Sequence, residues 1–374
     1  MDQAKYTTLV EALAAVPDPR QARGKRYAWA LLLTLVSAAL ASGQRSGRGI
    51  GQWVREQAET LAVLLERPER RLPSEATLRR AVRGVDVAAL EDHLGAFGAQ
   101  QPVPAEEGAG LQGLALDGKE VRGTRAHGVV THLLSLARHD GTVLGEMAVA
   151  SKTNEITAAP QLLAGRDLAG AVVTVDALLA HQTLARQIRE QHGHYLMVIK
   201  DNQPETRGAI AALFASEPAE REARTVGKGH GRLEERTLQT STELNAWLTW
   251  PDLGQVLQRT CRRVRIRTGE IAEEVTYGLT SLGPDEAGAA TLERFWRGHW
   301  SIENRVHYPR DVTFGEDAGQ AHRGQTPQAL AALRNALLSA LRAAGWTSIA
   351  DALRHYGARP QRALALIGAI PTGL

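Results

Sequence analysis

The sequence predicts an α/β protein in which a helical N-terminal region precedes a mixed β-sheet. Three features of the chain lead to this fold class. Apolar residues within 1–108 recur with the spacing of amphipathic helices. A stretch rich in Pro, Gly and Glu follows, from Gln100 to Gly110. Beyond it, short apolar runs alternate with helical patterns, which favours strands and helices assembled around one sheet.

Four helices are predicted in the N-terminal region. Their ranges are 9–16, 29–42, 50–65 and 76–83. Pro17 and Gly43 directly follow the first two, and both residue types commonly lie just beyond a helix end. Ser74 is expected to cap the fourth helix, with Glu75 in its first turn. The second helix is apolar on all sides, so we expect it to be buried.

The chain from residue 109 onwards predicts a mixed sheet. The elements in chain order are strands 114–116, 129–136 and 143–149, helix 159–164 with Pro160 in its first turn, strand 171–175, helix 181–192 and strand 195–199. This β-β-β-α-β-α-β order is that of the ribonuclease H fold. Further strands are predicted at 237–240, 255–266 and 274–281, followed by helices 292–307 and 326–344.

These elements divide the chain into three predicted parts. Residues 1–108 form a helical domain, residues 109–345 form a ribonuclease H-like domain, and residues 346–374 form a helical tail. The middle part carries a β-rich insertion at about 220–282.

The composition fits a globular protein that buries a sizeable core. Of the 374 residues, 43% are hydrophobic and 23% are charged. Cys261 is the single cysteine, which excludes intrachain disulfides and zinc sites built from several thiolates. The apolar run Trp29–Ala41 has about a dozen residues, whereas a bilayer-spanning helix needs roughly 20. We therefore expect a cytoplasmic protein without membrane contact.

Two aspartates, Asp117 and Asp176, directly follow predicted strands, in the segments LALDGK and VVTVDA. In open α/β sheets, ligands bind at the carboxyl ends of strands. Two carboxylates brought together there repel each other, and a divalent cation that prefers oxygen ligands, Mg²⁺ or Mn²⁺, relieves that repulsion. A single aspartate after a strand is also typical of a turn or a helix N-cap, and this alternative stays open.

A third carboxylate, Glu303, lies on the predicted helix that carries two tryptophans. The spacing of four residues places His299, Glu303 and His307 on one helix face. A carboxylate between two histidines is suited to a functional site. A solvated surface glutamate paired with one of the histidines is the alternative interpretation.

Eight stretches of the chain form an ordered series of distinctive motifs. They are DPRQARGKRY (18–27), PSEATLRR (73–80), LALDGKEVRG (114–123), SKTNEITA (151–158), GAVVTVDAL (170–178), IKDNQP (199–204), GKGHGRLEERT (227–237) and RGHWSIENRVHYPRDVTFGEDA (297–318). Together they resemble the ISAs-type insertion-sequence transposases, a DDE group related to the IS-four-like superfamily, and their H-repeat-associated relatives. The resemblance runs from about Val16 to Ala340, and several long motifs in order are more specific than any short one.

The resemblance implies a DNA transposase that cuts at element ends and joins them to target DNA. Its catalytic carboxylates would be Asp117, Asp176 and Glu303. They would hold two Mg²⁺ ions, for which Mn²⁺ could substitute. The implied partners are double-stranded DNA, as terminal inverted repeats and as target, and a second copy of the chain in the DNA complex. The implied location is the bacterial cytoplasm, in association with the nucleoid.

The chain departs from the wider superfamily around the glutamate. That superfamily has a Tyr, Arg, Glu, Lys signature with successive spacings of three, four and seven. Counting from Glu303, the other three positions hold Trp296, His299 and Arg310. Pro309 disfavours helical backbone at the residue before it, so we expect the helix to break before Arg310. No DNA contact is assigned to Arg310.

Candidate DNA contacts lie beside the carboxylates, in loops and on an N-terminal helix. They are Lys119, Arg122, Lys200, Asn202, His230, Arg232, His299, Arg79 and Arg80. Lys119 and Arg122 closely follow Asp117 and would hold the scissile phosphate. A helix N-terminus attracts phosphate, which favours a DNA-binding role for the helix bearing Arg79, Arg80 and Arg83. Solvated surface charge is the alternative for these residues.

Two other functions remain open at this point. One is a domesticated DNA-binding protein that no longer transposes, and the other is a nuclease on the same scaffold. The presence of all three carboxylates argues against loss of the active site. A transposase differs from both in bringing two DNA ends together.

Overall fold

The computed structural model describes residues 5–66, 71–103, 110–128, 130–149, 154–229, 231–319 and 321–371. The α-helices of these ranges are α1 (Leu9–Ala15), α2 (Trp29–Ala41), α3 (Gly47–Glu56), α4 (Ala58–Leu64), α5 (Glu75–Gly84), α6 (Val87–Ala99), α7 (Glu155–Leu163), α8 (Gln182–Glu190), α9 (Pro204–Ser216), α10 (Ala289–His299), α11 (Thr326–Ala343), α12 (Ile349–Gly357) and α13 (Pro360–Leu366). Much of the predicted linker, residues 104–109, lies outside the described ranges.

Nine strands form one mixed sheet. They are β1 (Gln112–Val121), β2 (Thr131–Arg138), β3 (Val143–Val149), β4 (Ala171–Val175), β5 (His194–Ile199), β6 (Arg221–Gly229), β7 (Arg232–Ser241), β8 (Gln255–Arg265) and β9 (Ile271–Thr280). Their order across the sheet is β3-β2-β1-β4-β5-β9-β8-β7-β6. Strands β1, β4 and β5 are parallel, and the pairs from β5 through β9 to β6 are antiparallel.

The chain divides into two compact units. Unit 1 comprises residues 1–104, 118–155 and 302–374, and unit 2 comprises residues 105–117 and 156–301. Strand β1 contributes its first six residues to unit 2 and its remainder to unit 1. The predicted boundaries at residues 108 and 345 remain predictions.

Unit 1 is built around two buried helices. Almost all of α2 is buried, as its apolar sequence predicts, and α11 is buried along most of its length. Helix α6 lies directly on strand β3 because it carries glycines at the contact. A Cβ on Gly98 would lie 2.1 Å from the carbonyl oxygen of Val143, and one on Gly95 would lie 2.5 Å from that of Leu144.

Unit 2 packs helix α10 against the sheet. Its apolar core combines strand residues with Leu292, Phe295 and Trp296 of α10. Trp296 lies against Gly278 of β9, where a Cβ would come within 2.5 Å of the indole. The Arg259 guanidinium bonds the buried carboxylate of Glu293 at 2.8 and 3.0 Å, which fixes α10 to β8. Trp296 is therefore a core residue.

Several N-terminal and helical predictions are corrected. The predicted helix 50–65 is two helices, α3 and α4, separated at Gln57. Ser74 precedes α5 but makes no side-chain cap bond, because its hydroxyl lies 3.1 Å from that of Thr77 instead. Pro160 lies inside α7, which begins earlier than predicted. Helices α6 and α9 were not predicted from the sequence.

Strand β1 is longer than predicted. It continues through Asp117 to Val121, so Asp117 lies within the strand and the prediction that it follows the strand end is wrong. Gly118, Lys119 and Glu120 are poor strand formers, and their sequence resembles a turn. The segment is nevertheless extended, as the continuation of a strand whose preceding residues pair with β4 up to Leu116.

The helix around Pro309 does not break. Glu303–His307 and Pro309–Thr313 are two π-helical segments, and Tyr308 between them keeps helical backbone angles. The Tyr308 N–H donates to the Glu303 carbonyl, and the Phe314 N–H donates to the Pro309 carbonyl, both across five residues. The wider turn accommodates a proline that an α-helix would not, so the predicted break is wrong.

Candidate active site

The strand register of unit 2 brings Asp117 and Asp176 to neighbouring positions. Strands β1 and β4 run parallel, and the last described pair of their register is Leu116 with Val175. Asp117 and Asp176 are the next residue on each strand path, and both are partly buried. Two carboxylates therefore occupy the same level of adjacent parallel strands.

The loop after Asp176 is held by its neighbours. Asp176 caps a short 3₁₀ turn, Ala177–Leu179, where one carboxylate oxygen accepts a hydrogen bond from the Leu179 N–H at 3.3 Å. The Asn202 side chain donates to the Ala177 carbonyl at 2.6 Å. The motif IKDNQP thus supports the backbone beside Asp176, a role that its sequence did not reveal.

His299 is tied to the strand that leads to Asp176. Its Nδ1 lies 3.2 Å from the Thr174 hydroxyl, which donates to the Leu114 carbonyl at 2.9 Å. Thr174 lies two residues before Asp176 on β4. The histidine therefore belongs to the same part of unit 2 as the aspartate pair.

In unit 1, Glu303 pairs with His307. The imidazole Nδ1 lies 3.1 Å from a Glu303 carboxylate oxygen, as the spacing of four residues predicts for this pair. Helix α10 ends at His299, so the predicted continuous helix 292–307 is wrong. The His307 side chain is only 2% exposed, whereas that of Glu303 is 53% exposed. The hydrogen bond from His307 lowers the pKa of Glu303 against the raising effect of burial, and the charges of His307, Lys119 and Arg122 lower it further. Glu303 is therefore available as an ionised ligand.

Lys119 is buried among carboxylates of unit 1. Its ammonium donates to Asp311 and lies 3.9 to 4.0 Å from carboxylate oxygens of Asp317 and Glu316. The side chain is only 5% exposed. Lys119 thus links the β1 segment that follows Asp117 to the helix that carries Glu303. A contact between Lys119 and a DNA phosphate remains a prediction.

Arg310 lies at the centre of a buried ionic cluster. Its guanidinium, which is 0% exposed, donates to Glu146, to Glu316 at 2.7 Å and to Asn335 at 3.3 Å. Arg334 also donates to Glu316, at 2.9 Å. The Glu316 pKa is lowered to about 2, because the two arginine charges outweigh the effect of burial, which would raise it. Arg310 has no access to DNA and acts within the protein.

The remaining predicted DNA contacts are mostly on the surface. Arg122, Lys200, Arg79 and Arg80 are exposed. Arg232 is also exposed and pairs with Glu234. His230 lies outside the residues that the structure describes.

The chemistry of these donors suits a divalent cation. Asp117, Asp176 and Glu303 offer carboxylate oxygens, the ligands that Mg²⁺ and Mn²⁺ prefer. The depressed pKa of Glu303 keeps that carboxylate ionised at neutral pH. A divalent cation would also offset the repulsion between two aspartates that follow the last paired residues of adjacent parallel strands.

Two family models match the chain. One, described as "DDE_Tnp_1-associated", covers residues 10–98, and the other, described as "Transposase DDE domain", covers residues 108–340. Both fall where the sequence motifs lie.

Named relatives match over much of their length. A protein from the dhlA 3′ region of Xanthobacter autotrophicus is 32% identical over 262 residues, covering 66% of this chain and 86% of that protein. The candidate transposase YncI of Escherichia coli O157:H7 is 26% identical over 348 residues, covering 90% and 87%. The H repeat-associated candidate transposase YhhI of Escherichia coli K12 is 24% identical over 344 residues, covering 89% and 90%.

A solved structure also aligns with the chain. It is a piggyBac transposase in a synaptic complex with hairpin DNA, with a TM-score of 0.47 and 10% identity. The alignment covers 97% of this chain and 78% of the other.

Proposed function

Because this chain belongs to the Transposase DDE domain family, we propose that it is a DNA transposase that cleaves DNA at element ends and transfers the freed strands into target DNA. The family resemblance that the ordered motifs predict is confirmed by this match. The observation that carries the finer proposal is the register of β1 and β4, which sets Asp117 beside Asp176.

We infer that the catalytic core is ribonuclease H-like. The first five strands lie in the order β3-β2-β1-β4-β5, with β1, β4 and β5 parallel and β3 antiparallel to β2. The chain order of these strands and of helices α7 and α8 supports the same assignment. Residues 109–345 would form this domain, with 1–108 binding DNA ends and 346–374 as a helical tail.

Asp117, Asp176 and Glu303 would hold the two Mg²⁺ ions, with Mn²⁺ as a possible substitute. When bound, such ions lower the pKa of a water or 3′-hydroxyl nucleophile and stabilise the leaving oxygen. Asp117 would serve both ions, and Asp176 and Glu303 one each. In unit 1, the charges of Lys119 and Arg122 lower the pKa of Glu303. Lys119 lies on β1 beyond Asp117, and Arg122 directly follows that strand. This proximity to the continuation of β1 supports Glu303 as the third carboxylate.

The protein's own groups would orient the reacting strand. The His307 imidazole holds one oxygen of Glu303, so the other oxygen is directed by a fixed rotamer. The loop that follows Asp176 is held by two hydrogen bonds, one from Asn202 to the Ala177 carbonyl and one from the Leu179 N–H to Asp176. Arg122, Lys200 and Arg232 are exposed and would bind backbone phosphates, while buried Lys119 would act by positioning.

The proposed partners are double-stranded DNA and a second copy of the chain. Terminal inverted repeats and target DNA would both be substrates, and a homodimer would hold two ends together. Among the described residues, no helix is long and apolar enough to span a membrane. We propose a cytoplasmic location in association with the nucleoid.

Substitution of the three carboxylates tests this function. Asp117→Asn, Asp176→Asn and Glu303→Gln should each reduce Mg²⁺-dependent cleavage roughly 100-fold or more, because each removes a negatively charged metal ligand. The substrate is a labelled duplex carrying the inverted repeats that flank the coding sequence. Cleavage and strand transfer are followed on denaturing gels, with Mg²⁺ and with EDTA.

Asp285→Asn serves as the matched control, because Asp285 is an exposed carboxylate at a loop of unit 2. Its cleavage rate should equal that of the wild type. Full activity in any of the three carboxylate variants would remove that residue from the triad. A wild-type chain that binds the repeats without cleaving them would favour the domesticated DNA-binding alternative.

A further inference from the structure

Unit 1 contains a large cavity with strongly basic walls. Its volume is about 930 Å³, and its lining comes from helices α3, α5 and α11 together with residues 315, 316, 318, 319 and 321–323. Six exposed arginines surround it: Arg45, Arg48, Arg79, Arg80, Arg83 and Arg323. Three of these, Arg79, Arg80 and Arg83 of α5, were candidate DNA contacts from the sequence. The cavity brings together arginines that are almost 280 positions apart in the chain.

The positive charge of this cavity is poorly compensated. Within the described ranges, Arg45, Arg48, Arg83 and Arg323 have no carboxylate within 4.0 Å, whereas Arg79 lies 3.7 Å from Glu75. Glu316 also lines the cavity, but its oxygens already bond Arg310 and Arg334. An anionic ligand would therefore meet several guanidinium groups that lack a competing partner.

Two further groups of the wall point to an anion. Arg334 lines the cavity and is only 3% exposed, and among the described residues its Nε has no hydrogen-bond partner. Ser46, the N-cap of helix α3, and the first two helical residues, Gly47 and Arg48, also line it. A helix start presents unpaired N–H groups and a positive dipole end, which add to the attraction of the arginines.

The floor of the cavity is aliphatic. Ile50, Leu78, Val82, Val121 and Leu330 line it beneath the arginines. Such a wall offers no hydrogen bonds, so it suits the carbon atoms of a ligand whose charged groups bind the rim. A small inorganic anion would fill little of this volume and would leave the floor unused.

We propose that this cavity binds the deoxyribose-phosphate backbone of a DNA strand, with phosphates on the arginines and sugar carbons against the aliphatic floor. Phosphate contacts from arginine and helix N-termini position a protein on DNA without reading its sequence. The inference rests on the proposed function, since it names a second binding surface for the transposase substrate. It adds the exposed residues Arg45, Arg48 and Arg323 to the DNA-binding residues, while buried Arg334 contributes positive charge to the wall.

The cavity also contacts the cluster that supports the catalytic helix. Glu316 lies in the cavity wall and bonds Arg310 of the second π-helical segment, which follows the segment that carries Glu303. DNA bound in the cavity would therefore lie against the structure that holds Glu303 in place, all within unit 1.

Binding measured without catalysis tests the proposal. The full chain is titrated in EDTA against a fluorescein-labelled 30-bp duplex of mixed sequence, and anisotropy is recorded across a salt series. Arg48→Gln/Arg83→Gln should weaken binding at least 10-fold and reduce the slope of log K against log salt by about 2, as expected for two lost phosphate contacts. The control Arg354→Gln/Arg362→Gln removes the same charge from helices α12 and α13 and should change affinity less than 3-fold.

The outcomes separate this proposal from the proposed function. If the wild type cleaves the inverted-repeat duplex with Mg²⁺ while the cavity and control variants bind DNA equally, the cavity assignment is overturned and the transposase assignment stands. A wild type that binds the duplex through the cavity but never cleaves contradicts the transposase assignment alone. Should Arg48→Gln/Arg83→Gln unfold, Arg323→Gln on the exposed loop gives the same comparison with an expected slope change of about 1.

Free nucleotides form the second arm of the experiment. Binding of dAMP and of inorganic pyrophosphate is measured by calorimetry with the wild type and the Arg48→Gln/Arg83→Gln variant. Weak or absent binding of both, together with reduced duplex affinity of the variant, supports a DNA strand as the ligand. Micromolar dAMP binding that the variant loses, with duplex affinity unchanged, would make this a free-nucleotide site and overturn the proposal.

Discussion

At the scale of single residues, His307 has the clearest consequence for Glu303, one of the three proposed metal-binding carboxylates. It is almost fully buried, and its Nδ1 faces Glu303. Since Glu303 is half exposed, this contact is what fixes the direction of its carboxylate. Buried partners of this kind commonly orient metal-binding side chains and raise their affinity.

We therefore expect His307→Ala to reduce cleavage about 10- to 100-fold and to raise the Mg²⁺ concentration needed for half-maximal activity. Without the imidazole, Glu303 loses its fixed rotamer but remains a carboxylate. The measurement is a Mg²⁺ titration of cleavage at constant pH. Tm and near-UV circular dichroism of the variant show whether unit 1 is still folded.

An unchanged Mg²⁺ requirement with reduced cleavage would contradict an orienting role for His307 and would assign it to packing alone. His355→Ala is the control, because His355 is exposed on α12 and forms ring contacts with Trp346 and Tyr356 only at the surface. It should leave the Mg²⁺ titration unaltered.

Local sequence patterns were enough to propose the three carboxylates, but not to identify the residues that contact the segments around them. Asp117, Asp176 and Glu303 could be named because strand patterns, helix spacing and ordered motifs all mark short stretches of chain. Asn202 binds the Ala177 carbonyl from 25 residues away, and Arg310 binds Glu146 from 164 residues away. Such contacts depend on how the chain folds back, which local patterns do not encode.

At the scale of elements, the segment after α10 shows what a buried ion cluster contributes. Arg310 on the second π-helical segment joins Glu146 of β3, Glu316 and, through Glu316, Arg334 of α11. Each buried charge is tolerable only while its partners are in place. The cluster therefore fixes this helix to its neighbours within unit 1.

Arg310→Met should lower the free energy of unfolding by about 3–5 kcal/mol, because it leaves the buried Glu146 carboxylate without its partner. The added substitution Glu146→Gln removes that unpaired charge, so the double variant should recover part of the loss. Chemical denaturation of the wild type, both single variants and the double variant gives the coupling. A double variant no more stable than Arg310→Met would refute the ionic account.

Local propensity explains which elements the sequence predicts and which it does not. The apolar helix α2 and the strands β3, β4 and β5 carry strong patterns and lie close to their predicted ranges. The second half of β1 carries turn-like residues but is extended, so its conformation depends on the fold rather than on local propensity. The π-helical turns around Pro309 likewise depend on packing, because local propensity predicts that a helix ends before proline.

At the scale of the whole molecule, stability should depend on pH through Glu91. This carboxyl on α6 accepts a hydrogen bond from Gln328 of α11 at 2.8 Å. Burial and the nearby charge of Glu146 raise its pKa from 4.5 to about 9. The folded state therefore holds this proton more tightly than the unfolded state. Its stabilising effect is complete below pH 4.5 and is lost as the pH rises towards about 9.

Glu91→Gln should remove this dependence, because the amide keeps a hydrogen-bonding group and cannot ionise. We expect the Tm of the variant to match that of the wild type near pH 5 and to exceed it by about 2–5 °C near pH 9. Differential scanning calorimetry across that range measures the difference. If the Tm of the two proteins changed with pH in parallel, Glu91 would ionise freely in the folded state, contrary to this prediction.

The two π-helical segments also change the direction in which side chains at a given sequence spacing point. In an α-helix, seven residues turn about 700°, within about 20° of two full revolutions, so positions seven apart point the same way. That rule would aim Arg310 alongside Glu303. Each π-helical turn takes in an additional residue and changes the angular phase. Arg310 consequently points into the interior with 0% exposure while Glu303 remains 53% exposed. The seven residues from Glu303 to Arg310 match the superfamily spacing, but the Arg310 side chain faces a different direction from that of Glu303.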